Sequence, residues 1–185
     1  IHVIAKDASN EHLDYSKSKK QAEDILIKYS RKSVSGLRIL RLPSVFGKWA
    51  KPFYNSFLAT LCFSIVNSKP YKIDDSSKIL RLLYIDDLVA HIISLLDDFC
   101  TDHCNDFQEI TFSDEYRITL GDLEKKIKSF YKMRKALHVG DFGNGLDRRI
   151  YSTLISYLVP EDFSYNSYPI FDDRGYFVEF IKTQN

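Results

Sequence analysis

Tyr15 and Lys19 stand four residues apart in Tyr15-Ser16-Lys17-Ser18-Lys19. On a helix that spacing brings both onto one face. A free phenol, with a pKa of about 10, is almost fully protonated near neutral pH. An ammonium one turn away favours the phenolate and lowers that value. A phenol tuned this way can exchange a proton with an alcohol or carbonyl oxygen while a hydride moves. The pentapeptide alone also describes an ordinary exposed helix start, so its surroundings must decide.

The element that must position the pair is an amphipathic segment running to about Arg31, with Ala22, Ile25, Leu26 and Tyr29 in helical register. Gly36 marks the turn out of it. Leu37 to Leu42 then reads as a strand covered on both sides, the usual setting of parallel strands. Pro43, lacking an N–H for the ladder, stops it. In a doubly wound sheet ligands sit beyond the carboxyl ends of the strands. Pro43 to Trp49 therefore falls where a ligand would lie, although a proline also suits a plain turn. Ile1 to Ala5 reads as a short buried strand before the helix.

Further along, Tyr54 to Val66 reads as a helix with Phe53, Phe57, Leu61 and Ile65 on one stripe. Asn55 near its start could present an amide to a diphosphate or sugar hydroxyl, or cap the helix. Tyr71 to Ile73 and Leu80 to Ile85 read as short strands around an Asp74–Ser77 turn. Asp86 or Asp87 would cap a helix reaching about Phe99. Gln108 to Phe112 and Tyr116 to Ile118 look extended. Thr119-Leu120-Gly121-Asp122 has capping-box shape and opens a helix over Leu123, Ile127, Phe130 and Tyr131. Asp147 to Leu158 is another amphipathic helix, ended by Pro160. Phe163 to Pro169 reads as an aromatic linker, and Phe171 to Thr183 alternates like the first strand of a β-rich domain.

Composition narrows the function. A net charge of +1 gives no global field for nucleic acid or membrane, and the lysines around Lys125 suit a solvated helix face. No apolar run approaches the ~20 residues of a membrane span. The three cysteines, Cys62, Cys100 and Cys104, form no framework, which fits a reducing cytoplasm. Cys62 suits an inert core position. Cys100, His103 and Cys104 lack the distant second pair of a structural zinc site, and Asp86 and Asp87 suit a helix start, so no metal is expected. Gly140, Gly143 and Gly145 have the wrong spacing for a phosphate-cradling loop.

Three stretches in order, Tyr15 to Glu23, Arg41-Leu42-Pro43-Ser44-Val45-Phe46-Gly47-Lys48-Trp49 and Leu83-Tyr84-Ile85-Asp86-Asp87-Leu88-Val89-Ala90, resemble the C-terminal half of an extended short-chain dehydrogenase/reductase. Phe46 to Trp49, Tyr54-Asn55-Ser56 and Phe171 to Thr183 narrow the resemblance to bacterial capsular-polysaccharide reductases of 4-keto UDP-N-acetyl-dideoxyhexoses. The resemblance implies an α/β fold, the C-terminal part of a doubly wound Rossmann-type domain. A partial Rossmann-type domain over 1–118 would be followed by a helical substrate-binding region over 119–162. A linker and the start of a truncated cupin domain would occupy 163–185, stopping short of any metal motif.

By the same resemblance Tyr15 donates the proton to a C4 keto oxygen as hydride arrives. Lys19 lowers its pKa and holds the nicotinamide ribose. Pro43 and Ser44 border the nicotinamide, and Asn55 and Arg81 grip a UDP-sugar. The family's third catalytic hydroxyl falls, counted without a gap, on Lys6. Either the loop is realigned and Ser9 serves, or that member is missing. A lysine there could still neutralise an oxyanion. The cofactor would be NADP or NAD, the residue that chooses between them lying outside these stretches. The family implies a homodimer in the cytoplasm. The chain opens directly in a strand, without the glycine-rich turn that holds a pyrophosphate. A fragment with weak dinucleotide binding is therefore the expectation, and a non-catalytic remnant or complementation partner is the alternative.

Overall fold

The computed structural model describes residues 1–5, 13–33, 36–101, 107–164 and 166–183. In chain order the elements are β1 (His2–Ala5), α1 (Leu13–Ser33), β2 (Leu37–Leu42), β3 (Ser44–Phe46), α2 (Phe57–Val66), β4 (Ile79–Tyr84), α3 (Ile85–Thr101) and β5 (Phe107–Thr111). Then follow β6 (Tyr116–Thr119), α4 (Leu120–Ala136), β7 (His138–Val139), α5 (Gly145–Ile155), a 3-10 turn at Pro160–Phe163, β8 (Pro169–Asp172), β9 (Gly175–Val178) and β10 (Lys182–Thr183).

Strand β2 is the centre of its sheet. Every residue in it except Arg41 is buried, as expected of a strand covered on both faces. It pairs parallel with β1, His2 opposite Ile39, and parallel with β5, Leu37 opposite Phe107. Parallel neighbours need a crossover, and α1 lies between β1 and β2 in the chain. Leu40, Leu42, Leu83 and Leu88 form a buried cluster, with Val45, Ile92, Leu95 and Ile110 packed against it. A second sheet has the order β3-β4-β6.

The chain divides into two units, Ile1–Val45 with Arg81–Arg117, and Phe46–Leu80 with Ile118–Asn185. In the second, α2, α4 and α5 pack pairwise. Leu61, Cys62, Leu123, Ile127, Ile150 and Leu154 are completely or almost completely buried there. Burial pushes the Cys62 thiol well above its ordinary value, which keeps it a neutral core side chain.

Thr119 caps α4 as its sequence implies: its Oγ1 accepts from the Asp122 N–H at 3.1 Å and donates to the Asp122 carboxylate at 2.8 Å.

Several expectations are corrected. Helix α2 begins only at Phe57, because Phe53 and Asn55 adopt left-handed backbone, and its cap is Ser56, whose side chain accepts from the Ala59 N–H. Residues 71–73 form no strand; Tyr71 instead donates its hydroxyl to Glu124 at 2.7 Å. Asp86 and Asp87 lie inside the first turn of α3, which starts at Ile85, so they meet its dipole but do not cap it. Asn144 caps α5, which begins at Gly145, two residues before the expected start of that helix. Phe171 to Thr183 is not one strand. Asp172-Asp173-Arg174-Gly175 turns the chain into a β8–β9 hairpin, with Asp172 accepting from the Arg174 N–H at 2.8 Å and Gly175 at φ 144°. The last two residues, β10, pair parallel with β7.

Candidate active site

Helix α1 spans both positions 15 and 19 without a break, so they are one turn apart on one side of it. Its inward face carries Lys19, Ala22, Glu23, Leu26, Ile27 and Ser30, all half-buried. Ile25 and Tyr29, expected on the apolar face, are 66% and 63% exposed. The rotation has a physical cause. Glu23 points inward because Arg41 of β2 takes its carboxylate in a two-armed bond, 2.9 and 2.5 Å. The same guanidinium reaches Glu109 of β5 through Nε at 2.9 Å. Glu109 and Glu23 hold Arg41 further charged, and Arg41 holds the Glu109 carboxyl below the usual carboxylate range. Helix, central strand and neighbouring strand are thereby tied just before β2 ends at Pro43.

Pro43 is buried and Ser44 exposed at the carboxyl end of β2. That end is where parallel-sheet proteins present ligands. Lys6, Ser9 and the Tyr15 side chain lie outside the described residues, as do residues 102–106 and the Cys100 side chain. Among the described residues no group of three or more His, Cys, Asp or Glu side chains is placed to hold a metal.

Arg81, on β4, is half-buried, and its Nε and Nη2 each donate to the Glu115 carboxylate at 2.7 Å. Glu115 is itself 7% exposed and also accepts from Arg117 at 3.1 Å. Sequence reasoning missed Glu115, Glu109 and the Arg41 clamp. No spacing rule links residues that only the strand order brings together. In the other unit, Asn55 is exposed with φ 52°.

The model of the NAD dependent epimerase/dehydratase family matches residues 4–107. The chain belongs to that family. It is 36% identical over 170 residues to the UDP-2-acetamido-2,6-beta-L-arabino-hexul-4-ose reductase of Pseudomonas aeruginosa, a match covering 92% of this chain and 45% of that protein. The capsular polysaccharide assembling protein CapF of Staphylococcus aureus superposes with a TM-score of 0.83 at 33% identity, over 98% of this chain and 50% of CapF. A UDP-glucose 4-epimerase of Thermotoga maritima shares the fold, with a TM-score of 0.57 at 14% identity over 77% of this chain and 52% of that one. The chain thus spans about half the length of these relatives. Its parallel sheet with helices matches the C-terminal part of the family's Rossmann-type domain. Among the described residues no helix is long and apolar enough to cross a membrane.

Proposed function

We propose that this chain carries the proton-transfer half of a nicotinamide-dependent reductase for a 4-keto UDP-N-acetyl-dideoxyhexose. Family membership supports a nucleotide-sugar enzyme. The observation that carries the reading is the backbone of α1. It sets Tyr15 and Lys19 one turn apart on a helix clamped by Glu23 and Arg41 to the strand that ends at Pro43.

In this reading Tyr15 gives its hydroxyl proton to the C4 oxygen as a hydride arrives from the nicotinamide. Lys19 lowers the phenol's pKa and binds the nicotinamide ribose. NADP or NAD supplies the hydride when bound, and Pro43 and Ser44 are the residues that would border its ring. Asn55 and Arg81 hold the UDP-sugar, Arg81 by sharing or exchanging its Glu115 partner for phosphate. Ser9, or Lys6 in its place, would steady the substrate oxygen. Capsule or O-antigen precursor synthesis, in the cytoplasm and as a homodimer, is the setting proposed.

The test is loss of reduced-nicotinamide absorbance with a 4-keto UDP-sugar, comparing the parent with Tyr15→Phe. Turnover that survives Tyr15→Phe unchanged overturns the reading.

A further inference from the structure

In the second unit a half-open cavity of about 150 Å³ lies where the end of α4, β7, α5 and the segment entering β10 come together. Met133, Leu137, Val139 and Ile181 give it aliphatic walls, and Phe142 and Tyr151 an aromatic one. Those two rings stand 4.9 Å apart, and the buried Phe130 backs both, at 5.5 and 5.9 Å. An apolar cavity of about 150 Å³ is large enough to take up a single benzene ring.

The backbone fixes these walls. Leu137 ends α4 in the left-handed region, φ 57°, and its N–H donates to the Met133 carbonyl. Its own carbonyl accepts from the Lys182 N–H at 2.7 Å, and β10 pairs with β7 at His138 and Val139. Left-handed backbone is sterically costly for leucine. It persists where the surroundings impose it, and such strain gathers at ligand sites.

Arg134 is the cation of the lining, and it is half-buried. Its Nη1 donates to the Tyr151 hydroxyl at 3.2 Å, and its Nη2 to the Asp162 and Phe163 carbonyls at 2.9 and 3.3 Å. Among the described residues no carboxylate pairs with Arg134, and its Nε has no acceptor. The Tyr151 hydroxyl accepts the arginine's bond, and its own proton has no acceptor among the described residues. His138 is the remaining polar side chain of the lining, and no aspartate or glutamate belongs to it. A charge withdrawn from water normally meets a counter-ion. The negative end of α4 accounts for a cation in this turn, but not for the ring-sized space beside it.

A ring-shaped apolar space with two unused donors, one of them charged, suits a ligand with one flat face and one negative end. We propose that the cavity binds a small aromatic monocarboxylate, its ring against Phe142 and Tyr151 and its carboxylate on Arg134 and the Tyr151 hydroxyl. A guanidinium matches a carboxylate in planar geometry, and such charge-assisted bonds are the strong ones. The proposal is independent of the reductase reading, which gives none of these residues a role.

Met133 is the only methionine in the sequence, so isotopic labelling of its methyl group gives the cavity an NMR signal of its own. Loss of that signal in Met133→Leu assigns it. The full chain is titrated with benzoate, benzyl alcohol and acetate. Benzoate should shift the signal saturably, with a Kd of about 0.1–3 mM, the range open to a ligand of this size. Benzyl alcohol keeps the ring without the charge, and acetate the charge without the ring. Each should bind at least about tenfold more weakly than benzoate. In Arg134→Met the preference for benzoate over benzyl alcohol should vanish, and Arg134→Lys should keep part of it. Comparing two ligands within one variant cancels any general loosening caused by the lost bonds to the 162 and 163 carbonyls. Circular dichroism checks folding, and should Arg134→Met not fold, the parent's ligand series and Arg134→Lys decide. Absence of a saturable shift by about 10 mM benzoate overturns the proposal. So does benzyl alcohol or acetate binding the parent as tightly as benzoate, or a benzoate preference that survives Arg134→Met undiminished. The readout needs neither a nucleotide nor hydride transfer, so the reductase reading and this one fail separately.

Discussion

Arg41 and Glu23 meet in a two-armed ion pair, 2.9 and 2.5 Å, between the central strand and the helix that carries Tyr15 and Lys19. Their side chains are 24% and 13% exposed. Removing one partner of such a pair leaves the other charge poorly solvated, which costs more than the pair contributes net. Glu23→Gln keeps the shape and loses one charge; Arg41→Met removes the hub. We expect losses of about 1–2 kcal/mol for Glu23→Gln and about 2–4 kcal/mol for Arg41→Met, since Arg41 also strands Glu109. Urea unfolding with an unchanged m-value checks this. Neither residue is proposed to touch substrate, so the effect on catalysis should appear through α1 placement.

Tyr15→Phe removes the proposed proton donor and keeps the ring. General acid catalysis contributes about 10²–10⁴-fold, and the loss should fall on kcat with KM little changed. Lys19→Met should lower kcat and also move the alkaline limb of the pH–rate profile for reduction to higher pH, because the phenol, which must be protonated to donate, would lose the ammonium proposed to depress its pKa. Stopped assays across pH distinguish the two variants. Equal, pH-independent losses in both would argue that the helix had simply been disturbed.

Acid should destabilise the first unit through Glu109. Arg41 holds its carboxyl below the ordinary value near 4.5, so the unfolded chain binds the proton more readily. The stability this supplies is complete above about pH 4.5 and is lost as pH falls through the lower folded value. In the second unit Glu124 behaves alike, held down by hydrogen bonds from Lys128 and Tyr71. Melting temperatures taken between pH 7 and pH 3 should therefore fall steeply below about 4.5. In Arg41→Met the slope should be shallower, the Glu109 contribution having gone. A slope unaltered by that variant would place the acid sensitivity elsewhere.

The strongly periodic parts of the fold are legible in the letters. Leu37 to Leu42 reads as a two-sided strand and is one, and Thr119 to Asp122 caps α4 as its chemistry requires. What fails is what depends on partners distant in sequence. The apolar register of α1 put Ile25 and Tyr29 inward, but the half-buried Glu23–Arg41 pair turns Glu23 to the sheet and leaves both exposed. Glu115, which takes the Arg81 guanidinium in two bonds where β4 and β6 lie side by side, is visible in no sequence spacing. Tyr71 has strand propensity, yet its hydroxyl is taken by Glu124 of α4. Local backbone overrides propensity at Phe53 and Asn55, where left-handed residues delay the start of α2 to Phe57. At the candidate site the Tyr-x-x-x-Lys spacing is visible in sequence, while the clamp that fixes its helix is not.

Tyr157 links core to loop, and its ionisation offers a way to pull on that link. Burial raises the phenol to about 12, and its hydroxyl donates to the Ala50 carbonyl at 2.6 Å. The folded state favours the protonated form, so an unfolded chain releases this proton first as pH climbs past about 10. Stability is intact below that value and falls as pH rises from about 10 through 12. Tyr157→Phe deletes the bond and the titration together. At neutral pH it should cost about 0.5–1.5 kcal/mol, and part of the alkaline loss should vanish. Because Ala50 follows Trp49 directly, the loop should also loosen. Lower fluorescence anisotropy of Trp49 in the variant, at a temperature where circular dichroism is unchanged, would register that. An anisotropy equal to the parent's would mean that Ser156, which accepts from the Trp49 N–H, and Thr60, which accepts from the Phe53 N–H, hold the loop without Tyr157.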